Sequence, residues 1–450
     1  MKKIEKRSLF CLLLAGLLAL GLGVFTFRFF VQGSQWASFP ANRHLYADGG
    51  LSRGRVLDRN GQVLVQTAEG RRQYHDSWAV RLGTMHAVGD AQGRVGSGVQ
   101  TRFAGKLAGY NPITGVNGGG QDLTLTLDAQ LCAAAYSALD GRRGTVGIYN
   151  YKTGEILCMV SSPSFDPQNP PEIRDDDPAY EGVFVNRLLG ASVVPGSIFK
   201  AVTTAAAIDV VPDLFQRTFR CEGRIEIGGA QITCSQAHGD LTIGQAFTKS
   251  CNCVYGQLAV EIGAEELEKR CREFGLTESF SVDGAPVARG SFVFDETDPG
   301  ALAWSGVGQG QDLVNPCSMM VFMGAAANGG QAARPQLLLS AATEGGWKTH
   351  WYRTKSAGRM MSQATADQLA QMMRDNVVDS YGEGNLAGLE LCAKSGTAEN
   401  GGETPHAWFA GFLRSQEYPL AFIVLVENSG SGSRVAGAVA KKTLAAATGR

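Results

Sequence analysis

One stretch constrains this chain before any other: from Ser8 to Phe27 no side chain is charged and leucine dominates. A run of about 20 apolar residues is long enough to cross the hydrocarbon of a bilayer as a helix. Lys2, Lys3, Lys6 and Arg7 stand against a single Glu5 ahead of it, and a cationic flank belongs on the cytoplasmic side. Residues 1–7 therefore read as a cytoplasmic tail and 8–31 as a single-pass anchor. Everything after them is expected on the extracytoplasmic face. A cleaved signal peptide would have a shorter apolar core and end in small residues. Here the run ends Val24-Phe25-Thr26-Phe27-Arg28-Phe29-Phe30, which is bulky.

Beyond the anchor the composition is that of a folded protein. It is 44% hydrophobic and 18% charged with a net charge of −1, so nothing marks it for nucleic acid. Its 450 residues leave room for two or more domains. The six histidines form no metal-spaced pair, so neither a metal nor another cofactor is expected. Of the ten cysteines Cys11 lies in the anchor, leaving nine outside it, an odd number. Cys221 and Cys234 bracket a segment that reads as a hairpin turning at Gly228-Gly229, which would bring the two within bonding distance. The alternative, a set of buried thiols, suits a host growing without oxygen.

The chemistry is concentrated after residue 190. Pro195-Gly196 is turn chemistry, and Ala201 to Ile208 reads as a buried helix. Ser197 thus falls near a helix N-terminus, where unpaired N–H groups favour developing negative charge. Lys200 follows one turn later on the same face. A serine needs a base beside it, and a desolvated lysine can serve. A capped helix with a solvated lysine would carry the same residues. However, this is the chain's one Ser-x-x-Lys, and two further boxes follow it in order: Ser250-Cys251-Asn252 and Lys394-Ser395-Gly396-Thr397.

Three such boxes in this order are the signature of penicillin-binding proteins and class A β-lactamases. The chain resembles the penicillin-binding protein family. Arg53-Gly54-Arg55-Val56-Leu57-Asp58-Arg59-Asn60-Gly61 looks like the start of the pedestal in its class B, monofunctional transpeptidase branch. The resemblance implies a short pedestal over 32–125, similar to the family's dimerisation domain, and a transpeptidase domain over 126–450. It implies an α+β fold, an antiparallel sheet flanked by helices with a helical lobe. It also implies a D,D-transpeptidase that cross-links stem peptides ending in D-Ala-D-Ala through a serine acyl-enzyme, and that β-lactams inhibit. Catalytic roles fall to Ser197, Lys200, Ser250 and Lys394, and substrate-binding roles to Asn252, Ser395, Gly396 and Thr397. The expected partner is a membrane-embedded wall glycosyltransferase.

Two strings are decoys. Gly50-Leu51-Ser52-Arg53-Gly54 matches a hydrolase elbow but precedes a hairpin, not a helix. Lys152-Thr153-Gly154 duplicates part of the third box upstream of Ser197, and a turn glycine accounts for it. A D-alanyl carboxypeptidase, a β-lactamase or a catalytically silent scaffold could share the boxes. No Glu-x-x-Leu-Asn follows the second box, as class A hydrolysis would require. The pedestal signature points away from carboxypeptidases, and intact boxes argue against a scaffold.

Overall fold

The uncharged run lies within one helix, Lys2–Ala37. Its leucines and phenylalanines, among them Leu12, Leu18 and Phe27, face outward with no core over them. Ile4–Gly33 is long and apolar enough to cross a membrane, with a mean hydropathy of 2.5, which suits an anchor. The structure, a computed structural model, describes residues 2–37, 54–69, 71–111, 113, 115–116, 119–174, 176–401 and 404–450. Gly50 to Arg53, which carry most of the elbow decoy and open the pedestal signature, lie outside the described residues.

The rest of that signature forms the expected hairpin. Asp58 shapes its turn by accepting from the amides of Asn60 and Gln62 at 2.9 and 2.8 Å, while Gly61 takes a left-handed φ of +82°. The hairpin belongs to a six-stranded sheet. Its order is Lys348–Trp351, Leu338–Thr343, Gln121–Leu125, Val56–Leu57, Val63–Ala68 and Arg71–Tyr74. Strands from before residue 125 and from after 337 therefore share one hydrogen-bonded layer, with Val56 and Leu57 parallel to Leu123 and Thr124. The polar–apolar alternation of Asp122–Asp128 predicts a strand, but the strand stops at Leu125, because Asp128 instead caps the helix Ala129–Leu139 by accepting from the Leu131 amide.

The second sheet positions the site. Its five antiparallel strands run in the order Leu391–Ala398, His406–Leu413, Leu420–Val426, Gly144–Asn150 and Ile156–Ser162. Leu420–Val426 is apolar at every position and buried along its whole length, because helices cover both faces and leave no solvated side. Pro316–Ala327 packs on one face, with Gly324 against the Tyr149 ring. Gly437–Thr448 packs on the other, with Gly437 against Phe409. The helical lobe comprises Lys200–Val210, Ile243–Thr248, Asn252–Ile262, Ala264–Glu273 and Pro299–Val307. The architecture is the expected α+β. Leu391–Ala398, which carries the third box, is an edge strand.

Candidate active site

Ser197 sits in a 3-10 turn, Gly196–Phe199, that runs directly into the helix Lys200–Val210. The turn is wedged among close backbone contacts. The Gly196 amide donates to the Gly308 carbonyl at 2.8 Å, and the Trp408 indole donates to the Val194 carbonyl at 2.9 Å. Gly196 has φ +55°, and a Cβ there would lie 2.7 Å from the Thr397 carbonyl oxygen. Only glycine combines that conformation with that approach.

Lys200 is fully buried, and its Nζ meets four neutral oxygens. Ser197 Oγ lies at 3.0 Å, the Ser250 carbonyl at 2.8 Å, Ser250 Oγ at 3.0 Å and Asn252 Oδ1 at 2.7 Å. Lys394, only 1% exposed, donates to Ser250 Oγ at 3.1 Å and to the Ser395 carbonyl at 3.1 Å. Burial first, and the nearby Lys394 second, hold the Lys200 ammonium well below the usual lysine range. Burial brings Lys394 down to about 7. The cause is common to both: a buried ammonium loses its water and here finds only neutral acceptors.

The second box occupies the break between Ile243–Thr248 and Asn252–Ile262. Ser250 adopts φ +51°, an uncommon conformation for a residue with a Cβ. Amides of Ser250 and Cys251 donating to the Phe247 and Ala246 carbonyls hold it there. That twist turns the Ser250 hydroxyl and carbonyl and the Asn252 amide toward the same ammonium. The structure thus brings together Ser197, Lys200, Ser250, Asn252 and Lys394.

The rest of the third box is placed differently. Side chains alternate along a strand, so Lys394 and Gly396 face the helical lobe while Ser395 and Thr397 face the other way. The Ser395 hydroxyl pairs with Tyr381 Oη at 2.8 Å, and the Ser395 amide donates to the same oxygen at 3.0 Å. The Ser395 hydroxyl, expected to bind substrate, thus faces Tyr381 and not the lysines. Gly396 also has another reason than the one expected of it. A Cβ there would lie 2.9 Å from the Pro195 carbonyl oxygen and 3.1 Å from the Ile198 nitrogen, so the missing side chain admits the serine turn. Thr397 is exposed, and its Oγ1 accepts from the Gly432 amide at 3.3 Å. Amides two apart share a strand edge, so the Thr397 N–H points away from His406–Leu413, as the Ser395 N–H does, on the edge that Gly196 approaches.

Sequence reasoning did not find Tyr381, which no motif marks, or the reason Gly308 is glycine. A Cβ at Gly308 would collide with the Gly196 carbonyl. It also missed a group beside the second box. The ligating atoms of Cys221, Cys234, His238 and Cys251 all lie within 4.8 Å of one another. Weighing histidine spacing alone passed over them, because the donors are mostly thiols. Cys221 and Cys234 do come together across the expected hairpin, with Sγ atoms 3.8 Å apart and both cysteines free. Lys152 of the duplicate string bonds to Gln416 at an exposed turn and takes no part in the site.

Comparison with known proteins sets this geometry in context. The profile of the penicillin binding protein transpeptidase domain matches residues 144–445. A peptidoglycan D,D-transpeptidase, PbpA, of Mycolicibacterium smegmatis is 29% identical over 77% of this chain and 76% of its own length. Stage V sporulation protein D of Bacillus subtilis is 27% identical over 71% of this chain and 52% of its own. Among solved structures, the D,D-transpeptidase domain of an Eggerthella lenta peptidoglycan glycosyltransferase superposes with a TM-score of 0.77 at 26% identity, covering 88% of this chain and 98% of that one. Penicillin-binding protein A of M. tuberculosis, solved as a ceftriaxone acyl-enzyme, gives 0.75 at 25% identity over 88% and 98%.

Proposed function

The chain belongs to the penicillin-binding protein transpeptidase family, in its class B branch, and from that premise we propose that it cross-links peptidoglycan with Ser197 as the acylated nucleophile. The observation that carries the reading is the set of oxygens around Lys200. Two of them, the Ser250 carbonyl and Asn252 Oδ1, can only accept. A neutral amine has two hydrogens and one lone pair. With its hydrogens given to those acceptors, the lone pair is left for the Ser197 hydroxyl, which is the arrangement of a general base.

In the first half-reaction Ser197 Oγ bonds to the carbonyl carbon of the penultimate D-alanine as its proton passes to Lys200 Nζ. The oxyanion lies between the backbone N–H groups of Ser197 and Thr397, each such donor being worth roughly 10²–10³ in rate. The proton moves from Lys200 through Ser250 Oγ to the departing D-alanine nitrogen as the C–N bond breaks, and Lys394 holds Ser250 in line. In the second half an acceptor amine attacks the ester, gives its proton back along the same chain, and Ser197 leaves as the hydroxyl. Asn252 orients Lys200 and the substrate amide, and the Thr397 hydroxyl receives the terminal carboxylate.

The same reading divides the chain into a cytoplasmic tail (1–7), an anchor (8–31), a pedestal (32–125) and a catalytic domain (126–450) on the extracytoplasmic side. A membrane-embedded glycosyltransferase supplies the strands to be joined. The test is a fluorescent penicillin on wild type and Ser197→Ala. Label confined to the wild type, with the adduct mass on the peptide holding Ser197, supports the assignment. An adduct on Ser250, or none on a folded wild type, sinks it.

A further inference from the structure

We propose that Cys221, Cys234, His238 and Cys251 form a tetrahedral site for a thiophilic divalent metal, Zn²⁺ by ligand type, that anchors the second box. The spacing of the donor atoms carries this. Zn–S bonds of about 2.3 Å at tetrahedral angles set sulfurs about 3.8 Å apart, and a shorter Zn–N bond of about 2.0–2.1 Å sets sulfur and nitrogen about 3.5 Å apart. Cys221 and Cys234 Sγ are 3.8 Å apart, Cys234 and Cys251 Sγ 3.7 Å, and Cys221 Sγ and His238 Nδ1 3.4 Å. All four donor atoms converge within 4.8 Å. Three thiols and an imidazole suit zinc over hard cations, which prefer oxygen.

The supporting geometry is that of a built site. Cys221 ends the strand Phe219–Cys221, Cys234 follows Ala230–Thr233, His238 precedes Gly239–Leu241, and Cys251 precedes the helix Asn252–Ile262. The Cys253 amide, at the start of that helix, donates to Cys234 Sγ at 3.4 Å, an interaction that favours a thiolate there. A single disulfide would use two sulfurs and leave a thiol and an imidazole packed against it. One metal accounts for all four groups. On binding, each thiol gives its proton to solvent as its sulfur bonds to the metal, so no oxidant or reductant is needed.

The consequence reaches the lysines. Cys251 lies between Ser250, held at φ +51°, and Asn252. The Asn252 Nδ2 also donates to the Thr233 carbonyl, beside Cys234, at 2.7 Å. Bound metal ties the hairpin to the second box and keeps Ser250 and Asn252 on Lys200. The ligands are positioning residues and touch no substrate.

The test uses the full chain in detergent under reductant. Elemental analysis is expected to find about one zinc per chain. After chelation, Co²⁺ should restore one equivalent with sulfur-to-cobalt charge-transfer absorption and tetrahedral visible bands. Cys221→Ser and His238→Ala should each lose that spectrum or bind Co²⁺ at least about tenfold more weakly. Cys253→Ser should keep it. Should either ligand variant fail to fold, the wild-type Co²⁺ titration decides alone. Metal removal should slow penicillin acylation by about tenfold or more. A chain that takes up no Co²⁺, a spectrum indifferent to Cys221 and His238, or a Cys221–Cys234 disulfide in anaerobically prepared protein overturns the site. Unchanged acylation after metal removal overturns its positioning role. Ser197→Ala should bind the metal normally, so failure of the acyl-enzyme reading leaves this one standing.

Discussion

At the scale of single residues, function turns on where one proton sits. Lys200 has only neutral oxygens around it, and Lys394 repels its charge. Lys200→Ala should slow penicillin acylation by roughly 10²–10⁴ while the far-ultraviolet circular dichroism stays unchanged; a near wild-type rate would place the base elsewhere. The sign of the pH effect follows from the direction of the shift. In the proposed mechanism the base works when neutral, so acylation should rise with pH through the lowered Lys200 pKa and level off above it. Replacing Lys394 by methionine removes the like charge and lets Lys200 hold its proton to higher pH. The acid limb of the acylation-rate profile should then move up in pH in Lys394→Met. A limb that stays in place would mean that Lys200 is not the group being titrated. Ser395 makes a contrast, because its hydroxyl faces Tyr381. Ser395→Ala should cost about 1 kcal/mol of stability in a denaturant titration and leave the acylation rate nearly as in wild type.

At the scale of elements, the site depends on two pieces of backbone touching. The serine turn lies against the edge strand Leu391–Ala398 on one side and the Gly308 loop on the other, and glycines make both approaches possible. In Gly396→Ala the new methyl must displace the Pro195 carbonyl or the strand, since its tightest contact, 2.9 Å to the Pro195 carbonyl oxygen, is with backbone. We expect a loss of about 1–3 kcal/mol in thermal or denaturant unfolding. Acylation should fall by more than tenfold, because the Thr397 amide moves relative to Ser197 by a fraction of an ångström. A variant that acylates normally would show that the strand can shift without cost to the site. Much at this scale was readable from sequence. The apolar spacing of Ala129–Leu139 reads as a helix and matches the observed bounds, and Ser250-Cys251-Asn252 reads as a turn, which it is. The side-chain direction of Ser395 was not readable, because box order says nothing about which face of a strand a residue takes.

At the scale of the whole molecule, the lobe that carries the second box bears on how long the proposed acyl-enzyme should last. A hydrolase needs a carboxylate beside the ester to activate water. Three of the glutamates that follow Ser250 are engaged elsewhere: Glu261 pairs with Arg217 at 2.6 Å, and Glu266 and Glu273 pair with Arg270 at 2.7 and 3.3 Å. The penicilloyl adduct should therefore persist for many minutes to hours after free drug is removed. Release within seconds, with repeated turnover of penicillin, would make the protein a β-lactamase. The two sheets bear on the same scale. Strands from before residue 125 hydrogen-bond to Leu338–Thr343, so the N-terminal portion and the catalytic portion are built on a shared layer.

The sequence alone determined what depends on local order along the chain. The uncharged run dictated an apolar helix, and the order of three boxes pointed to the family and to eight candidate site residues, five of which the fold brings together. Tertiary structure decided what depends on approach between distant segments. Glycine at 308 and 396 is explained by backbones that meet only in the fold, since a missing Cβ has no meaning until something occupies its place. The low proton affinity of Lys200 comes from burial, which no spacing encodes. The gathering of Cys221, Cys234, His238 and Cys251 arises because a hairpin, a turn and a helix start end at one point, whereas along the chain these residues are scattered thiols and a lone imidazole.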